Sequence, residues 1–238
     1  MEHYILIIMI FFISAFTQGM VGFGSALVAI PLLLFLMPVS KASPMVVANG
    51  IIMTTYIIIK LRKSFDLKKI TPLILGTLIG IPAGVFLLVT LNEKIVLGIL
   101  AFFMISYSLF SLFGNPEKIR LSKKWGYPFG FIAGALGGAY GTNGPPVVLY
   151  SSMRDWNKDE MVVTMQVYFI LSSIYILSLQ GINGLISLDF FIYWVKFIPA
   201  LLCGVILGSF VYSKINQNLF KKIIYCSLIF LAIALLIH

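Results

Sequence analysis

Residues 134–150 read GALGGAYGTNGPPVVLY, and no uninterrupted helix runs through them. Gly134, Gly137, Gly138, Gly141 and Gly144 loosen the backbone. Pro145 and Pro146 lack an N–H, and the residue before a proline is pushed out of the α region. The stretch therefore predicts a helix, a break at about Gly141–Gly144, and a second helix with the prolines in its first turn. It lies inside an apolar segment, Trp125–Ser152. A broken helix at membrane depth survives only when buried in protein or lining a wet cavity, which makes the break a candidate binding site.

Outward from this stretch the chain is membrane protein throughout. Of 238 residues, 60% are hydrophobic and only 11% charged, which excludes an ordinary soluble domain. Eight apolar segments follow one another: Tyr4–Met37, Pro44–Ile59, Ile70–Leu91, Ile95–Phe113, Trp125–Ser152, Met161–Leu179, Phe190–Tyr212 and Leu219–Ile237. The N-terminal stretch has neither the basic region nor the cleavage site of a secretory signal and is read as structure. Cys203 and Cys226 fall inside apolar segments and are read as packing residues rather than a disulfide or metal pair. The net charge of +9 is clustered in short loops, an orientation signal rather than a nucleic-acid surface.

The first segment carries an echo of the fifth. Gly19–Pro31 reads GMVGFGSALVAIP, and Gly19, Gly22 and Pro31 match Gly134, Gly137 and Pro146 at an offset of 115. Gly80, Gly84 and Asn92 match Gly204, Gly208 and Asn216 at 124, with Asp66 and Asp189 as a further pair. The expectation is one transmembrane domain built from two repeats, at about 1–125 and 126–238, each a broken segment followed by three spans. Lysine and arginine set the orientation. With Trp125–Ser152 entering and leaving on one side, 14 fall inside and two, Lys41 and Lys94, outside; a single crossing gives nine against seven. The repeats are then inverted, both termini lie outside, and two hairpins with arms of about 12–16 residues meet near the midplane beside six full spans. The fold class is all-α and polytopic.

The site chemistry follows from the breaks. A half-helix starting at Pro145 turns its positive end and free N–H groups toward Tyr140, Gly141, Thr142, Asn143 and Gly144, an arrangement suited to an anion. Gln18, Gly22, Phe23, Gly24 and Ser25 are the counterparts in the first break, with Ser25 as the expected N-cap. Asn49 and Thr164 join them as embedded polar residues that align across the repeats. Gly76, Gly80, Gly84, Gly204 and Gly208 read as close-packing ridges. Lys196, after an aromatic run, is read as snorkelling, and Arg154 as an orientation charge. The eight carboxylates stand at termini, loops or span ends, which weakens a cation-transport reading. With His3 and His238 the only histidines and no nucleophile–base pair, no catalytic site, metal or cofactor is expected.

The paired glycine-rich breaks followed by proline, the phrase GPPVVLY (Gly144–Tyr150) with RDWNKDE (Arg154–Glu160) behind it, and the basic loop after the second segment resemble the sulfite exporter TauE/SafE family, also called toluene sulfonate uptake permeases. The resemblance spans essentially the whole chain. It implies a multi-pass protein of the plasma (inner) membrane that carries sulfite, an organosulfonate or a related sulfur oxyanion, with export as the direction. Alternating access between the two breaks is the expected mechanism. An anion channel or a carrier of small carboxylates is the alternative. Proton or sodium coupling and the oligomeric state are left open; the expected partners are the anion and the lipid bilayer.

Overall fold

The computed structural model describes residues 2–61, 67–114, 119–154, 156, 158–211, 222, 225–226, 228–233 and 236. Ten α-helices among them are α1 (Glu2–Val21), α2 (Ser25–Leu33), α3 (Val39–Leu61), α4 (Leu67–Thr90), α5 (Glu93–Phe113), α6 (Gly126–Tyr140), α7 (Gly144–Ser152), α8 (Lys158–Ile182), α9 (Leu188–Val195) and α10 (Ile198–Val211). A 3-10 turn, Lys123–Trp125, leads into α6. The described secondary structure is all helical. α1, α3, α4, α5 and α8 are five helices long and apolar enough to cross a membrane. Side chains such as Phe102, Phe113, Ile182 and Phe230 are largely exposed around the outside, as a lipid-facing belt requires.

Two of the broken segments fold as hairpins. Tyr4 and Ile7 of α1 border the same cleft as Met37, Ser40 and Lys41, so the chain returns to the end of the bundle from which it entered. In the second hairpin, Leu121 N–H donates to the Met153 carbonyl at 3.1 Å and Tyr150 Oη to the Lys123 carbonyl at 3.3 Å, closing the base of α6–α7. α3 and α8 run antiparallel: Ser43 meets Gln180, whereas Gly50 faces Ser173. The hairpins consequently open toward opposite ends.

Four successive helix boundaries from the first tip onward recur 119 residues later: Val21 and Tyr140, Ser25 and Gly144, Leu33 and Ser152, Val39 and Lys158. The offset of 115 between the glycines is therefore about one helical turn short of the spacing of the helices. Gly22 pairs with Gly141, and both hold positive φ, 86° and 69°. The glycines nearest in spacing were the wrong partners, because a helix repeats its face every turn and tolerates a four-residue slip.

The arms also differ from expectation. α1 has 20 residues and α2 nine; α6 has 15 and α7 nine. At 1.5 Å per residue α1 is about 30 Å long, the thickness of the hydrocarbon core. The tips overlap along α3 rather than only meeting. Gly141 abuts Val46 and Val47 in the first half of α3, while Val21 and Phe23 cluster with Ile58 near its far end. Nor is the described part of Phe190–Tyr212 one continuous helix. It breaks between α9 and α10 because Pro199 has no N–H for the Val195 carbonyl, and Lys196 and Phe197 donate instead to Tyr193 and Trp194, three residues back. Cys203 and Cys226 are free and exposed, not packed inside. Most of Leu219–Ile237, and Arg62, Lys63, Asp66, Lys118, Lys214 and Lys221, lie outside the described residues.

Glycine ladders brace the hairpins. α4 and α6 run parallel in backbone contact: a Cβ on Gly76, Gly80 or Gly84 would lie 2.0–2.2 Å from the carbonyls of Tyr127, Phe131 or Ala135. Gly130 and Gly138 of α6 press equally on Leu73 and Ile81. α1 and α10 repeat the device, with Gly19 on Val205, and Gly204 and Gly208 on Phe12 and Phe16. Lipid tails are as apolar as leucine, so close van der Waals contact rather than water exclusion holds such helices. The backbone of α6 cannot retreat from a new methyl at Gly84 without moving the whole hairpin. Gly84→Ala is expected to cost roughly 1–3 kcal/mol in detergent thermal unfolding. Gly98→Ala on α5, where a Cβ meets nothing within 4 Å, is expected to be neutral or stabilising.

Candidate functional site

The two tips enclose one cavity of about 40 Å³. Gln18, Phe23, Gly24, Ser25, Ala26 and Leu27 line it from the first hairpin and Gly141–Pro145 from the second. α3 adds Val46, Val47, Gly50 and Thr54, and α8 adds Phe169 and Ser173. The first turns of α2 and α7 both face it. The opening N–H groups of a helix have no acceptor within it, so the cavity lies at two positive helix ends.

The tips are held open by side chains from elsewhere. Gln18, one turn before the end of α1, accepts at Oε1 from Ser25 N–H at 3.3 Å and from Ser25 Oγ at 2.8 Å. It caps α2 from the preceding helix. The N-cap position is Gly24, in the left-handed region at φ 98°, so Ser25 is not the cap expected from its residue type. Gln166 of α8 donates from Nε2 to the Gly22 carbonyl at 2.7 Å, satisfying an acceptor freed by the break. In the second tip Gly141 ends α6 in the left-handed region, and its N–H reaches the Gly137 carbonyl at 2.8 Å. Asn143 occupies the N-cap position of α7 without a capping bond; its Nδ2 donates to Ser172 Oγ at 2.7 Å. Thr142 is buried and lines the cavity, and its Oγ1 has no hydrogen-bond partner.

Gln18, Phe23, Gly24, Ser25, Gly141, Thr142, Asn143, Gly144 and Pro145 are thus brought together. Four expected residues are placed elsewhere. Gly22 serves through its carbonyl on Gln166. Tyr140 Oη donates to the Val96 carbonyl at 2.5 Å, tying α6 to α5. Asn49 Oδ1 accepts from Trp194 Nε1 at 2.8 Å. Thr164 is buried in α8 away from the cavity lining. Asn49 and Thr164 do not correspond at the 119-residue spacing, so the reason for pairing them fails. Thr54, read from the sequence as an embedded polar residue of packing type, and Ser173, for which the sequence carries no signal, also line the cavity.

At the end where the first hairpin opens lies a wider cleft of about 780 Å³, lined by residues including Tyr4, Lys41, Met45, Phe190, Tyr193 and Phe197. Its floor on α3, Met45, precedes the cavity-lining Val46 directly. Trp194, stacked on Phe190, reaches across to Asn49 beside it. The opposite end is closed by Tyr150, which packs against Phe129 and Trp156 and is wholly buried. Arg154 lies over the Tyr150 ring and donates to the Leu121 carbonyl, fastening the hairpin base. Lys196 is exposed, with Nζ 5.2 Å from the Tyr193 ring centre, and does not approach the cavity. Among the described residues no cluster of three His, Cys, Asp or Glu could hold a metal.

Over residues 6–235 the chain matches the family model described as Sulfite exporter TauE/SafE. No curated protein and no solved structure matches it.

Gln18 and Thr142 separate architecture from binding. Gln18→Ala removes the cap of α2 and is expected to lower stability by about 1 kcal/mol, read as a lower Tm in detergent. Thr142→Val keeps the shape and removes an unpartnered hydroxyl. It is expected to leave Tm unchanged or higher while weakening anion binding by about tenfold or more, the worth of a hydrogen bond to a charged group.

Proposed function

The chain belongs to the sulfite exporter TauE/SafE family, and on that premise we propose that it carries a small sulfur oxyanion or organosulfonate across the plasma membrane by alternating access, outward in its working direction. Membership makes it a membrane transport protein for sulfur anions such as sulfite. The site, route and direction are our reading. One observation carries it: the N-terminal ends of α2 and α7 converge on a single cavity with polar side chains between them. By a measure on which one water needs about 10–15 Å³, 40 Å³ suits a small oxyanion. Gln18 and Gln166 meet the groups freed at the first break, whereas the Thr142 hydroxyl in the second has no protein partner and is open to an anion at the two helix ends.

In this reading the halves are two copies of one unit inserted in opposite orientation. Both termini lie outside, so the 780 Å³ cleft faces outward. The path to that side is blocked by the Trp194–Asn49 contact, the path inward by the Tyr150 cluster and the fastened base of α6–α7. Release to the outside then requires α9 to swing on the 3-10 junction at Lys196–Phe197, breaking the Trp194–Asn49 hydrogen bond. α4, the corresponding helix of the first half, runs unbroken through its two prolines and lacks this hinge.

Uptake of labelled sulfite, a small sulfonate and a small carboxylate into proteoliposomes, with and without proton or sodium gradients, tests the reading. Saturable sulfite flux, accelerated by counter-substrate, is expected. Unsaturable flux would make the protein a channel, and carboxylate flux alone would reassign the substrate. Pro199→Ala restores the N–H that α9–α10 lacks. It is expected to slow turnover at unchanged sulfite affinity; an unaltered rate would remove α9 from the gate.

A further inference from the structure

Resting on the reading that the cavity between the tips holds the anion, we propose that its charge rule is one: the protein binds and carries the monoanionic form, hydrogensulfite rather than sulfite. None of the described residues lining the cavity is charged or titrates near neutrality. Its positive potential comes from dipoles. Each helix N-terminus acts as roughly half an elementary charge, so the ends of α2 and α7 together offer about one. Thr142 is the independent sign of a ligand. It is 1% exposed and lines this cavity, yet its Oγ1 has no partner in the protein.

Desolvation decides between the ionisation states. The cavity is small and walled by Phe23, Leu27, Val46, Val47 and Phe169 as well as by its polar groups, so an anion within it sheds part of its water. The cost of drying an ion rises with the square of its charge, making a dianion about four times as expensive as a monoanion of the same size. Attraction to fixed dipoles rises only in proportion to charge. A site with about one unit of dipolar charge therefore balances a monoanion and falls short for a dianion. The proton that distinguishes the two forms also suits the lining, since hydrogensulfite brings a donor for an acceptor oxygen such as that of Thr142, whereas sulfite only accepts.

Chlorate and sulfite provide the test, being pyramidal three-oxygen anions of similar size. Chlorate stays a monoanion at every working pH; sulfite passes from monoanion to dianion near neutrality. Binding of each to the purified full-length protein is measured by calorimetric titration on the acid and alkaline sides of that transition, alongside sulfite flux in proteoliposomes. The expected result is chlorate affinity that does not change with pH, and sulfite affinity that matches it in acid and falls by about tenfold or more in alkali. A parallel fall for chlorate would trace the pH dependence to a protein group and overturn the proposal. Alkaline sulfite binding as tightly as chlorate would also overturn it, while leaving anion carriage intact. Sulfite flux without binding of chlorate at any pH would overturn the charge rule as well. Absence of both binding and flux would remove the underlying reading itself.

Discussion

In hydrocarbon every peptide N–H and C=O needs a partner from protein, and this constraint governs the two broken hairpins. A break in a membrane helix frees about four donors and four acceptors with no water to take them. Here three of the freed groups are met by amide side chains of neighbouring helices. Gln18 takes the Ser25 N–H, Gln166 the Gly22 carbonyl, and Gln180 of α8 the Gly138 carbonyl at 3.1 Å. A glutamine reaches both a donor and an acceptor without bringing a charge into the bilayer, which explains its use at these three places rather than lysine or glutamate.

Such capping works only if the helices carrying the amides cannot drift, and the glycine ladders supply that rigidity. α1 and α6, the helices that lead into the breaks, are the two held in backbone contact, by α10 and α4 respectively. Each brace comes from the other half of the chain. The tips are therefore fixed relative to one another through the ladders, whereas α3 and α8, which complete the cavity, meet through side chains. Rigid tips and a softer wall fit the proposed site, whose access would change without loss of its binding geometry.

The sequence made the breaks legible because glycine and proline act locally: Gly141 must take a positive φ and Pro145–Pro146 must start a helix. The close-packing role of Gly80 and Gly204 was legible for the same reason, since a missing side chain has one main use on a lipid-embedded face. The misplaced residues failed where a partner far along the chain decides. Tyr140 faces Val96 and Asn49 faces Trp194, and nothing near either residue in sequence announces the other. Arm length and repeat register were obscured by helical periodicity, which lets a four-residue slip keep every glycine on its face. The break before α10 was available in Pro199 and was hidden by the continuous apolar run around it.

The two tips, though alike in backbone, differ in how their polar groups are spent. In the first, the Gln18 oxygen satisfies both the amide and the hydroxyl of Ser25, and Gln166 occupies the Gly22 carbonyl. In the second, prolines remove two of the donors that α7 would otherwise present, Asn143 is turned toward Ser172, and Thr142 is left without a partner. A buried hydroxyl in that state carries a desolvation penalty of about 1–3 kcal/mol. The first tip is thus the better satisfied of the two in its backbone, while the second leaves a hydroxyl at the cavity without a partner in the protein. On the proposed reading an anion in the cavity relieves the penalty at Thr142, so that binding energy is drawn from a group that the protein itself leaves unsatisfied.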